Sequence, residues 1–196
     1  MRPPPGNPVF SAVLLAGGRS SRMGFDKATA VVDGQPLWRR QIATLQAIGP
    51  QELFISGRAE GPYEGQGFEV IADLHPGCGP LSGLEAACER MRSPLLCVLA
   101  VDLPWMSASF LAKLVQMAGK NGRGVVPQNG ELVEPLAAVY PRAIQALVAE
   151  HLRSEDYSMQ RIIRRAVELG LVEPFALAEE DRALFRNVNT PADLPG

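Results

Sequence analysis

The sequence predicts an α/β protein: a three-layer αβα sandwich, Rossmann-like, on a mixed but mainly parallel sheet. Three observations predict it. Short apolar runs alternate with stretches of helical periodicity along most of the chain. One run, Leu95 to Val101, is apolar throughout, as a strand covered on both faces must be. A glycine-rich loop follows the first apolar run at once, where such folds turn from strand to ligand.

The elements follow in order. Residues 1–8, MRPPPGNP, form a Pro-rich leader expected to be mobile, and residues 9–196 are expected to be one domain. Val9 to Leu15 reads as a buried first strand. Leu37 to Ile48 reads as a helix, with Trp38, Ile42 and Leu45 spaced by four and three. Glu52 to Ser56 is a second strand. A turn-rich tract, GRAEGPYEGQG, leads to a short third strand at Phe68 to Ala72. Leu81 to Met91 is a helix with Leu81, Leu84, Cys88 and Met91 on one face. After the central strand, Ser107 can cap a helix running to about Met117. Strands are expected at Gly124 to Pro127 and Leu136 to Tyr140, and helices at Ala143 to Leu152 and Ser158 to Leu169. Thr190, Pro191 and Asp193 read as a helix start with proline in the first turn.

Composition narrows the function classes. Of 196 residues, 46% are hydrophobic and 20% charged, which suits a globular chain rather than a disordered one. The net charge of -2 gives no broad electrostatic footprint for nucleic acid. An anionic ligand must therefore be held by a local group of cations and backbone amides. No apolar run reaches the roughly 20 residues that span a bilayer, and the N-terminal residues do not read as a secretory signal. Cys78, Cys88 and Cys97 are odd in number and form no CxxC pair, which argues against both a disulfide framework and a zinc site. Cys88 and Cys97 sit in apolar stretches and are expected to be buried. The setting these features imply is a reduced cytoplasm.

The chemistry concentrates in two places. The first is the loop LAGGRSSRMGFDK, Leu15 to Lys27. Gly17 and Gly18 let the backbone approach a ligand closely, and Arg19, Arg22 and Lys27 supply three cations within nine positions. A triphosphate carries about four negative charges, which calls for such a set. The loop is neither a P-loop nor a dinucleotide fingerprint. The plain alternative is a tight turn with Arg19 as a solvated charge. The second place is Asp102, directly after the central strand. Ligands of open α/β sheets bind outside the carboxyl ends of the strands, and a carboxylate there suits Mg2+ carried by phosphate oxygens. Its alternative role is a turn residue, since Asp-Leu-Pro favours a turn. Asp73 holds a similar place after the third strand. His75 and His151 stand in polar stretches and are expected at the surface, without a catalytic role.

These motifs resemble the molybdenum cofactor guanylyltransferase family, within the nucleotide-diphosphosugar transferase-like fold. The resemblance runs from Phe10 to Leu194. It is carried by LAGG at Leu15–Gly18, RMG at Arg22–Gly24, DK at Asp26–Lys27, VDGQPLW at Val32–Trp38, GPLSGL at Gly79–Leu84, VDLP at Val101–Pro104 and NVNTPADL at Asn187–Leu194. The chain departs from the pattern in two ways. It has Ser56, Gly57 and Arg58 where related members can carry asparagine, and its glycine loop is a residue shorter than in some relatives.

The resemblance implies transfer of GMP from GTP to molybdopterin or its molybdenum form, with release of pyrophosphate and with Mg2+ as cofactor. It implies that Leu15, Ala16, Gly17, Gly18 and Lys27 hold the nucleotide, and that Asp73 contacts the guanosine part. It implies that Asp102 binds Mg2+ and phosphates, with Arg22 and Lys27 stabilising charge during catalysis. Asn187 and Asn189 are implied to lie near the pterin, with Asn189 a weaker second metal ligand; loop-tying hydrogen bonds are their alternative role. The implied partners are small molecules and molybdoenzymes that donate or accept the cofactor, with no nucleic acid and no membrane. Three alternatives stay open: the same transfer with CTP, nucleotidyl transfer to another phosphorylated acceptor, and a nucleotide-binding protein without catalysis. The presence of both Lys27 and Asp102 argues against the last.

Overall fold

A computed structural model of the chain describes residues 8–17, 27–58 and 60–188. In chain order the strands are β1 (Phe10–Leu15), β2 (Val31–Val32), β3 (Gln35–Pro36), β4 (Glu52–Ser56), β5 (Glu69–Ile71), β6 (Leu95–Ala100), β7 (Gly124–Asn129), β8 (Leu132–Val133), β9 (Ala137–Pro141) and β10 (Val172–Ala176). The helices are α1 (Leu37–Ala47), α2 (Pro80–Arg90), α3 (Ala108–Asn121), α4 (Ile144–Arg153) and α5 (Met159–Glu168), with 3-10 turns at Lys27–Thr29 and Glu179–Phe185.

Eight strands form one sheet in the order β10-β7-β9-β6-β1-β4-β5, with β8 paired to β7. β1 runs parallel to β4 and β6, β4 to β5, and β7 to β10; β9 runs against β6 and β7. Period-two alternation sorts the side chains onto two faces. Phe10, Ala12 and Leu14 join Leu37, Trp38, Ile42 and Leu45 of α1 and Phe110, Leu111 and Leu114 of α3. Val13 and Leu15 join Leu81, Leu84 and Cys88 of α2, Ile144, Leu147 and Val148 of α4, and Ile162 and Ile163 of α5. Helices thus cover both faces of a mainly parallel sheet, the three-layer sandwich that the alternating runs predict.

The expected elements are present with ends shifted by a few residues. Ser107 caps α3, its Oγ accepting from the Phe110 amide, but the helix runs on to Asn121. There Gly122 takes a left-handed φ of 72° and closes it, the C-terminal signal of the local sequence. Ser158 caps α5 in the same way. Of the leader, residues 1–7 lie outside the described residues. Pro8 packs against Gly119 of α3, so this end of the leader belongs to the folded part. β10 and the 3-10 turn at Glu179–Phe185 were not expected. β10 is an edge strand whose exposure alternates with Glu173 and Pro174 in its middle, so it carries no continuous apolar run. The helix start expected at Thr190 to Asp193 lies outside the described residues.

One expectation is corrected. His151 is only partly exposed rather than open to solvent: its side chain is 15% exposed, with Nδ1 3.5 Å from Asp156 Oδ2. The chain reverses after α4 and the Asp156 amide donates back to the His151 carbonyl at 3.0 Å, which brings the Asp156 carboxylate beside the imidazole. The Arg161 guanidinium, hydrogen-bonded to Asp156, pulls that carboxyl down to about 2. The polar look of the local sequence reflects an ion network at the surface, with Arg161 63% exposed and the imidazole tucked beneath it. Cys88 and Cys97 are buried as expected, and burial pushes both thiols up to about 12, which leaves no thiolate nucleophile at neutral pH.

Candidate nucleotide site

The register of the parallel strands builds the site. Leu15 stands opposite Ser56 on one side and Ala100 on the other, and Ser56 stands opposite Ile71. These four residues end their strands along one edge of the sheet. The residues next in the chain must therefore cluster there: Ala16 and Gly17 after β1, Gly57 after β4, Asp73 after β5 and Asp102 after β6. After β1 the chain passes through β4 and β5 on one side, then crosses by α2 to β6 on the other. β1 is thus a switch point, where open α/β sheets form a crevice.

Hydrogen bonds fix the start of the glycine loop. The amides of Ala16 and Gly17 both donate to the Ser56 carbonyl, at 2.8 and 2.9 Å. The Val101 amide donates to the Leu15 carbonyl at 3.1 Å, tying the end of β6 to the same point. Leu15 and Ala16 are buried, and the Leu15 side chain belongs to the core on the α2 face. Their share in a ligand site is therefore through the backbone. Gly17 is exposed, and a Cβ there would lie 3.4 Å from Asp73 Oδ2. Glycine lets the loop and that carboxylate share a small space. Gly18, Arg19, Arg22 and Asn189 lie outside the described residues.

Lys27 opens the 3-10 turn on the far side of the loop. Its Nζ lies 3.4 Å from Asp102 Oδ2, across 75 positions of sequence. Each side chain is about one-fifth exposed, at 21% and 22%. In water-rimmed surroundings such a pair contributes little to stability. Its meaning is chemical: a cation and a carboxylate meet at the carboxyl end of the central strand, and both can be re-partnered by a phosphate and a metal ion. Asp73 is partly buried, and the Ser56 hydroxyl donates to its Oδ1 at 3.1 Å. Ser56, in the stretch Ser56 to Arg58 that departs from the family pattern, thus positions the acid expected to meet the guanosine part.

Sequence reasoning missed the groups that hold Asp102. Gln41 lies on the buried face of α1, and its Nε2 donates to the carbonyls of Ala100 at 3.3 Å and Leu103 at 2.6 Å. Arg40 Nε donates to the Pro104 carbonyl at 2.7 Å. The Val188 amide donates to the Asp102 carbonyl at 3.0 Å, which brings Asn187 to this end of the sheet. The signal for Gln41 was present: an amide stands three residues after Trp38 and four before Leu45, on the apolar stripe. A buried amide there must bond something.

Helix α2 presses on the site from the other face. Gly79 precedes it with a φ of 66°, which glycine adopts freely, and Pro80 takes its first position. A Cβ on Gly83 would fall on Ser56 Oγ and come within 3.0 Å of Leu15 Cδ2. Gly83→Ala is therefore expected to lose about 1–3 kcal/mol of stability through overpacking. It should also weaken nucleotide binding, because the displaced Ser56 holds Asp73. Denaturant unfolding with a nucleotide titration checks this, and an unchanged midpoint would show slack between α2 and the sheet.

His75 is exposed as expected, with Nε2 3.3 Å from Glu85 Oε2. No group of three or more His, Cys, Asp or Glu among the described residues could hold a metal ion by itself. A divalent ion here would need oxygens brought by the ligand.

The MobA-like NTP transferase domain matches residues 12–169 of this chain. The chain belongs to that family. It is 36% identical over 188 residues to a probable molybdenum cofactor guanylyltransferase of Opitutus terrae, covering 94% of this chain and 93% of the relative. It is 33% identical over 183 residues to the molybdenum cofactor guanylyltransferase of Xanthomonas euvesicatoria pv. vesicatoria, covering 93% and 90%. Among solved structures, molybdopterin-guanine dinucleotide biosynthesis protein A from Archaeoglobus fulgidus shares the fold with a TM-score of 0.76 and 22% identity, covering 93% of this chain and 94% of that one. The family match makes this chain a nucleotidyltransferase with the α/β architecture its sequence predicts. No helix among the described residues is long and apolar enough to cross a membrane.

Proposed function

We propose that this chain transfers GMP from GTP to molybdopterin or its molybdenum form, giving the guanine dinucleotide cofactor and pyrophosphate. The observation that carries the proposal is the meeting of Lys27 and Asp102 beside the glycine loop, in a chain whose relatives of similar length bear the name guanylyltransferase.

The reaction needs no nucleophile from the protein. An oxygen of the acceptor phosphate attacks the α-phosphorus of GTP, the bond to the bridging oxygen of the β-phosphate breaks, and pyrophosphate leaves. The protein supplies alignment and charge. Lys27 exchanges Asp102 for the triphosphate and balances charge building on the departing pyrophosphate; Arg22 is proposed to assist. Asp73, positioned by Ser56, contacts the guanosine part, and Ala16 and Gly17 fix the approach of the loop. Asn187 and Asn189 are proposed to contact the pterin.

The residues fit a magnesium ion that arrives with the nucleotide. Mg2+ takes one or two carboxylates, with phosphate oxygens and waters completing its shell, and among the described residues Asp102 offers one carboxylate without a preformed cage. Asp102 would hold it, with Asn189 a weaker second ligand. The ion would supply charge neutralisation at the α-phosphate. The cytoplasm, with molybdoenzymes that donate or accept the cofactor, is the proposed setting.

A thermal-shift series with GTP, CTP, ATP and UTP, each with and without magnesium, tests the nucleotide. A ligand that binds only the folded state stabilises by about 2.7 kcal/mol at a hundred times its dissociation constant. GTP with magnesium is expected to give the largest shift. A larger shift with CTP would turn the reading to cytidylyl transfer.

A further inference from the structure

Two separate chain segments converge on the Asp102 turn. Trp105 stands three positions after Asp102, in the Asp-Leu-Pro-Trp turn, and is partly exposed. Arg186 ends the 3-10 turn at Glu179–Phe185, whose Phe185 packs edge-on against Phe110 of α3 with ring centroids 5.5 Å apart. Two residues later, the Val188 amide bonds the Asp102 carbonyl. The result places the Arg186 guanidinium carbon 5.2 Å from the centroid of the Trp105 ring.

Arg186 is exposed. Arg40, Arg90, Arg92, Arg123, Arg161 and Arg165 each pair with a carboxylate. Arg186 has no carboxylate partner among the described residues; the indole face is what it rests on. Packing on a ring face restrains a guanidinium while leaving the N–H groups in its plane open for a bidentate oxyanion. Asp73 follows β5, at one edge of the sheet. The Arg186 segment instead reaches Asp102 from the side of α3 and β10, at the other edge.

We propose that Arg186, braced on Trp105 beside Asp102, is the cation that docks the phosphate of the acceptor. The proposal rests on the transferase reading above and adds the residue that recognises the second substrate. That chemistry needs one. A phosphate monoester carries about −1.5 to −2 at neutral pH, and it must approach a triphosphate of like charge. Lys27 serves the triphosphate, so a separate cation must hold the acceptor. Arg186 keeps its charge throughout: the acceptor oxygen forms its bond to the α-phosphorus, the pyrophosphate bond breaks, and no proton moves through the guanidinium. Trp105 is a positioning residue that keeps the fork in place.

The test is steady-state GMP transfer with GTP and molybdopterin, each varied in turn. In Arg186→Gln the KM for molybdopterin is expected to rise by about 10–100-fold, while that for GTP stays within about twofold. Arg186→Lys should recover only part, because a point charge cannot replace the fork. Trp105→Leu should raise the molybdopterin KM in the same direction, and Trp105→Phe, which keeps a ring face, should restore most of it. An unchanged molybdopterin KM in folded Arg186→Gln, or an equal rise in both KM values, overturns the assignment while wild-type transfer leaves the parent reading standing. Wild type that cannot transfer GMP to molybdopterin overturns both.

Discussion

Replacing Asp102 with asparagine is expected to slow nucleotidyl transfer by about 10²–10³-fold, the usual loss when one preorganised charge-stabilising group is removed. The fold should survive. β6 ends before this residue, its side chains are buried on both faces, and the Asp102 carbonyl still accepts from the Val188 amide. Gln41 and Arg40 still brace the turn through the carbonyls of Ala100, Leu103 and Pro104. Asparagine keeps the shape of the side chain and one oxygen. It lacks the negative charge on which a reluctantly dehydrating Mg2+ depends. Nucleotide binding should fall less than turnover, because the loop and Lys27 remain. Single-turnover pyrophosphate release at saturating magnesium, with circular dichroism to report folding, measures it. A folded variant with near-normal turnover would reduce Asp102 to a turn residue.

Lys27→Ala is expected to weaken GTP binding by about 10–150-fold, the equivalent of one charge-assisted hydrogen bond of roughly 1.5–3 kcal/mol. Stability should hold, since a part-exposed ion pair contributes little. Losing the lysine also leaves Asp102 without this cationic partner, so the carboxylate becomes more open to a divalent ion. Magnesium should then bind the unliganded variant no worse than wild type, while GTP binds much worse. Calorimetric titration of each separates the two. The effects of Lys27→Ala and Asp102→Asn should not add, because the two side chains touch. Equal GTP affinity in wild type and Lys27→Ala would remove the lysine from the site.

Much of this was legible in the sequence because the fold class and the site depend on local signals. A seven-residue apolar run, Leu95 to Val101, fixes a central strand. Gly17 after β1 and Asp102 after β6 follow from strand ends, and the register then brings them together without further information. What the sequence did not disclose depends on distant contacts. Gln41 reads as one polar residue on an amphipathic helix until the carbonyls of Ala100 and Leu103 are opposite it. Ser56 reads as a departure from the family pattern until its hydroxyl is found on Asp73. Val188 and Arg186 lie more than 80 positions from Asp102 and Trp105, and nothing local announces the meeting. β10 escaped because its middle, Glu173 and Pro174, breaks the apolar pattern. His151 differs from its expected place because the carboxylate of Asp156, which lies beside it, reads in sequence as one more surface charge.

Guanylyl transfer to molybdopterin is read out by incubating the purified chain with GTP, magnesium and molybdopterin and identifying the products by mass spectrometry. Molybdopterin-guanine dinucleotide and pyrophosphate are expected in equal amounts, with neither formed when molybdopterin is omitted. Absence of the dinucleotide from folded protein that binds GTP, or formation of a cytosine dinucleotide in preference when CTP is supplied, would contradict guanylyl transfer.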